Sequence, residues 1–135
     1  MADSVSNRES VVISYEVESV TNVLLCLRIY NSGRVEAQQT DDVSEKGKSG
    51  ESRIEQSRVK TLAEKLLEAM KGIEDCCAWD EDEEDRHSII VDYGGWGKKA
   101  QWVWNPPQHN TPEQIKSLVG ELETVYNSVT LDRVI

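Results

Sequence analysis

From Val11 to Val17 the odd-numbered positions are apolar (Val11, Ile13, Tyr15, Val17), and Ser14, Glu16 and Glu18 lie between and beyond them. Successive strand side chains point to opposite faces, so a period of two predicts a half-buried strand. Thr21-Asn22 can turn the chain. Val23, Leu25, Leu27 and Ile29 then form a second apolar row, with Arg28 and Tyr30 on the other face. Leu24 and Cys26 make the first half of this strand apolar on both faces, which suits a central position. Asn31-Ser32-Gly33 is a turn signal, because Asn and Gly tolerate positive φ. A third strand follows over Arg34 to Gln39, with Val35 and Ala37 facing inward. The three strands read as an antiparallel meander.

The period then changes. The polar stretch from Thr40 to Ser52 has the composition of a loop. Val59, Leu62, Leu66, Met70 and Ile73 recur at helical spacing, with Ala63 and Leu67 widening the stripe. Ser52 with Glu55 and Thr61 with Glu64 both have capping-box spacing, so two starts are open. Gly72 suits the left-handed position after a helix, with Ile73 as the apolar contact beyond it. Ile89, Val91 and Tyr93 alternate again as a fourth strand, Gly94 to Lys98 reads as a hairpin loop, and Ala100, Trp102 and Trp104 share one face of a fifth strand. Thr111, Pro112 and Gln114 announce a last helix with the apolar face Ile115, Leu118, Val119, Leu122, Val125 and Tyr126. The expected order is β-β-β-α-β-β-α: an α+β fold with an antiparallel sheet and two helices on one face. At 135 residues the chain fits one domain. We place it over residues 10–128, after a disordered N-terminus (1–9). A tail over 129–135 either docks as a short strand or stays loose.

Charge is unevenly distributed. There are 25 Asp and Glu against 15 Lys and Arg, a net of −10. Eight of those acids fall between Glu74 and Asp85, where there is no base; without them 17 acids face 15 bases, a net of −2. The domain is therefore near neutral and carries one acidic segment. An acidic field repels phosphate, which disfavours nucleic acid and anionic membrane and leaves a basic protein partner or a cation open. No run of about 18 apolar residues is present for a membrane span. The N-terminus lacks the basic start and apolar centre of a signal peptide. Cys26, Cys76 and Cys77 are an odd set with two adjacent, unlike a disulfide framework. These features predict a reduced, cytoplasmic chain.

Motifs for chemistry are missing. A calcium loop counted from Asp80 would put Asp85 at the glycine position and Val91 at the bidentate glutamate. His87 and His109 are the only histidines and lack zinc-site spacing, so both read as surface residues on loops. Cys76-Cys77 sits among acids that would raise a thiol pKa, which argues against a nucleophile. Gly94-Gly95-Trp96-Gly97 lies between strands and not before a helix, so it lacks the helix N-terminus that would hold phosphate. The sequence thus points to no enzyme, metal or cofactor. Trp96, at the expected hairpin tip beside Lys98 and Lys99, has two readings: an exposed interface anchor, or an aromatic folded back on Trp102, Trp104 or Tyr93.

The strand-turn-strand Leu27-Arg-Ile-Tyr-Asn-Ser-Gly-Arg-Val35 and the closing hairpin followed by the Thr111-Pro112 helix resemble small bacterial α+β domains of the emfourin type, which inhibit metalloproteases. The likeness is one of layout and spans most of the chain. The Thr40–Ser52 loop and the acidic segment depart from it. The resemblance implies the α+β fold and a protein-binding role. The functional expectation is a small acidic interaction protein of inhibitor or immunity type. Asp80, Glu81, Asp82, Glu83, Glu84 and Asp85 would steer a basic partner, and Trp96 would anchor it. The alternatives are an accessory subunit that docks through a Trp-rich sheet face and, less favoured, a small ligand-binding protein or enzyme.

Overall fold

A computed structural model of the chain describes residues 9–19, 24–40, 47–71, 85–104 and 113–134. The elements are β1 (Val11–Ser19), β2 (Leu24–Tyr30), β3 (Arg34–Thr40), β4 (Gly47–Arg53), α1 (Gln56–Met70), β5 (Asp85–Tyr93), β6 (Trp96–Trp104), α2 (Glu113–Asn127) and β7 (Arg133–Val134). The strands form one antiparallel sheet in the order β6-β5-β1-β2-β3-β4-β7. The expected α+β layout holds, with two more strands than the apolar pattern predicts.

Register explains the core. Tyr15 lies opposite Leu27 and Ile89, and Leu27 opposite Ala37; Ile13 lies opposite Ile29 and Val91, and Ile29 opposite Val35. These two rows cross four strands on one face, and every residue in them is buried. A bulge between Val11 and Ile13 lets Val12 turn into the core as well. Val59, Leu62, Ala63, Leu66 and Met70 of α1 cover this face together with Ile115, Leu118, Val119, Leu122 and Val125 of α2. The opposite face carries Glu16, Arg28, Glu36 and Glu51, with Ile90 the exposed large apolar residue among the described ones.

The stretch from Thr40 to Ser52 is not all loop. Thr40 ends β3, and Gly47 to Arg53 form β4 against it, with Ala37 opposite Gly50. Nothing apolar alternates in Gly-Lys-Ser-Gly-Glu-Ser-Arg, so no period of two marks the strand. Its central inward position is a glycine because the chain leaving α2 lies on it. A Cβ on Gly50 would come within 2.0 Å of the Thr130 carbonyl oxygen and 2.9 Å of Val129. The tail therefore docks: Val129 is buried, and β7 pairs Arg133 and Val134 with Ser49 and Lys48. At the other terminus Glu9 is ion-paired to Arg34.

Neither capping box is used. Ser52 belongs to β4, and the Thr61 hydroxyl donates to the Ser57 carbonyl within α1. Helix α1 opens after Glu55, whose side chain makes no capping bond. Gly72, Ile73, Thr111 and Pro112 lie outside the described residues.

Gly50→Ala should lower the unfolding free energy by about 1–3 kcal/mol, the usual cost of overpacking. Gly97→Ala is the control, since its added Cβ would meet only the Val91 carbonyl oxygen, at 3.8 Å. Urea denaturation of both variants checks this; equal loss in the two would contradict the close packing of the tail on Gly50.

Candidate interaction surface

The residues expected to bind a partner occupy the β5–β6 hairpin and the segment leading into it. Asp80, Glu81, Asp82, Glu83 and Glu84 lie outside the described residues. Asp85 opens β5 and pairs with Ser19 and Trp104. Of the acidic segment only Asp85 is described, and it is held in the sheet between β1 and β6.

Trp96 is displaced from its expected place. The turn is only Gly94-Gly95, with φ of 63° and 84°. Two successive positive φ angles define the tight hairpin turn that matches strand twist, and glycine reaches them without strain. Trp96 is therefore the first residue of β6, opposite Tyr93, and not the hairpin tip. Asp85 and Trp96 also stand at opposite ends of the hairpin. Nine residues of β5 separate those ends by about 27 Å. Asp85 and Trp96 do not converge on one spot.

At the turn end of the hairpin lies a cavity of about 510 Å³. Glu64, Leu67, Glu68 and Lys71 of the α1 side line it, with Gly97 and Lys98 of β6. Among the described residues its walls carry two acids and two bases around one leucine, so their charges balance. Lys71 is held by Glu68 at 2.8 Å.

Register also places Trp102 and Trp104, while Trp79 lies outside the described residues. Trp102 is opposite His87 and Trp104 opposite Asp85, on the face that carries Ile89 and Val91. The open face of β6 carries Gly97, Lys99, Gln101 and Val103 instead. His87 is not a loop residue. It lies in β5, partly buried, and shares a 3.1 Å hydrogen bond between Nδ1 and the Tyr15 hydroxyl. Burial, and then Glu123, push the Tyr15 hydroxyl well above the usual phenol range. The pair reads as a core contact. His109, Cys76 and Cys77 lie outside the described residues. Cys26 is buried, and burial raises its thiol pKa, which suits an inert packing residue.

The open face has one organised feature that the sequence pattern did not single out. Arg34 lies 4.1 Å over the Tyr30 ring and pairs with Glu9 at 2.9 Å, Glu36 at 3.0 Å and Glu51 at 3.7 Å. Tyr30 donates to Glu36 at 2.6 Å. The Tyr30 hydroxyl and the Arg34 guanidinium hold Glu36 below the usual carboxylate range, against partial desolvation. Ser32 and Arg34 do the same for Glu9. The group is satisfied by its own members, so it locks the chain start to the β2–β3 turn more than it offers charge to a ligand. Among the described residues no group of three or more His, Cys, Asp or Glu could hold a metal, and no helix is long and apolar enough to cross a membrane. The sequence matches no protein-family model and no curated protein.

Because Glu9 and Glu36 titrate lower when folded, the unfolded chain takes up protons first as pH falls. Their contribution to stability is complete above the ordinary value of 4.5 and is lost below it as pH falls through their folded values. Glu36→Gln should flatten the acid limb of a plot of urea midpoint against pH. Identical limbs in wild type and variant would contradict the network.

Proposed function

We propose that the chain is a small cytoplasmic protein-interaction domain of inhibitor or immunity type that captures a basic protein partner. The observation that carries this reading is the confinement of charge: eight acids and no base lie between Glu74 and Asp85, while the rest of the chain nets −2. Supporting it, the last acid of that segment, Asp85, is held in the sheet as the first residue of β5. A tethered acidic run keeps its field in one place, where it accelerates encounter with a positive surface. The open sheet face does not compete for that role, since its described charges balance and Arg34 is already paired. The layout resemblance to emfourin-type inhibitors points the same way.

Replacing Asp80, Glu81, Asp82, Glu83, Glu84 and Asp85 by Asn or Gln tests the reading. Partner capture from native lysate should fall with rising salt for wild type. The association rate of the captured partner should drop ~10-fold or more for the variant at low ionic strength, and its salt dependence should largely vanish. Capture that is unchanged in amount and in salt response would sink the charge mechanism.

A further inference from the structure

Strand β6 forms one edge of the sheet and pairs only with β5 among the described residues. It is nine residues long, Trp-Gly-Lys-Lys-Ala-Gln-Trp-Val-Trp. An edge of that length is a template for another strand. The opposite edge is treated differently: there β7 and the preceding tail lie along β4. We propose that β6 pairs antiparallel with β6 of a second copy about a two-fold axis at Ala100, giving a dimer with one continuous sheet.

The first argument is hydrogen-bond phase. In a hairpin closed by a two-residue turn, the pair flanking the turn is hydrogen-bonded, and bonded and non-bonded pairs alternate from there. Tyr93 and Trp96 are that flanking pair. Trp96, Lys98, Ala100, Trp102 and Trp104 therefore bond toward β5. Gly97, Lys99, Gln101 and Val103 direct their N–H and C=O groups to the free edge. A two-fold at Ala100 sets Gly97 opposite Val103 of the copy and Lys99 opposite Gln101 of the copy. Every outward group then meets an outward group.

The second argument is charge. Lysines within an edge strand normally guard against pairing. In this register neither lysine meets a lysine: Lys98 falls opposite Trp102 of the copy and Lys99 opposite Gln101. Lysine with tryptophan is a favourable pairing, and Trp96 falls opposite Trp104, an aromatic pair of the kind that stabilises sheets. Shifting the axis to Lys99 keeps the hydrogen-bond phase but sets Lys99 against itself and shortens the overlap. An axis at Gln101 also avoids a lysine pair but shortens the overlap, so the centred register alone joins the whole strand without setting lysine on lysine. On the helix side, α1 stands off the start of β6 and leaves the cavity beside Gly97 and Lys98, so among the described residues no packing closes that stretch of the edge.

Sedimentation of the full chain over a concentration series tests the proposal. The mass should rise from 15.3 kDa toward twice that value. Gln101→Lys places like charge opposite Lys99 at both symmetry-related sites and should weaken the dimer on the order of ten-fold. Gln101→Glu should tighten it by a similar factor. Gln101→Pro removes an outward N–H without touching the β5 ladder and should leave a monomer with unchanged far-UV circular dichroism. If the proline variant fails to fold, the two charge variants still decide. A chain that stays monomeric at millimolar concentration overturns the proposal. So does a dimer whose affinity ignores both charge changes at Gln101.

Discussion

The fold hangs on one apolar face running unbroken across the middle of a sheet. Ile89, Tyr15, Leu27 and Ala37 form one cross-strand row, and Val91, Ile13, Ile29 and Val35 form the next. Each sits where its strand points toward the helices, so a slip of one residue in any strand would send its share of the row to solvent. That penalty fixes register in β1, β2, β3 and β5 together. The two helices need only amphipathic stripes to cover the result, and their lack of side-chain caps at the start of α1 is tolerable for that reason. The taper of the rows toward β4, from Leu27 to Ala37 to Gly50, leaves room for the chain after α2. The small residues there are what admit the C-terminal segment to the sheet.

The same arrangement explains which parts of the molecule could be read from sequence. Strands β1, β2, β3 and β5 bury one side, so their alternation is visible. Both helices bury one stripe, so their period is visible. Strand β4 is held by backbone pairing to β3 and by the crossing tail, and its inward positions are Ser52, Gly50 and Lys48. Such a strand leaves no hydrophobic trace; the spaced glycines were the only sign, and they read as loop. The expected hairpin loop was too long because all three glycines were counted as turn, whereas two positive φ angles at Gly94 and Gly95 complete it. His87 was misplaced because the strand was taken to begin at its first apolar residue, Ile89, while pairing to β1 extends it back to Asp85. The Arg34 group joins Glu9, Tyr30, Glu36 and Glu51 from four segments, and no local spacing encodes that.

Charge is handled by two separate devices. On the open face, acids and bases are interleaved across strands, and Arg34 draws three carboxylates onto one guanidinium. Such a group anchors chain segments and presents little net field. Between α1 and β5 the acids are instead collected in sequence with no base among them. Opposite charges placed opposite one another in a sheet serve the fold; like charges strung along a connection oppose it. A domain that already balances its charge gains nothing for folding from that connection.

Edges pose the last constraint on the sheet. Burying one face fixes which strands are central but leaves two ladders unfinished. At β4 the chain closes the ladder with its own C-terminal residues. At β6 it has no strand to spare among the described residues, and the two lysines in the middle of that strand decide what is accepted there. A foreign strand meets both charges. A copy in the centred register meets Trp102 and Gln101 instead. The net charge works against that association, because two chains of −10 repel at long range. Added salt screens this repulsion and so strengthens self-pairing, while it weakens capture of a basic partner by the acidic segment. The two associations respond to ionic strength with opposite sign, so one salt titration separates an edge that joins copies from a charged segment that recruits something else.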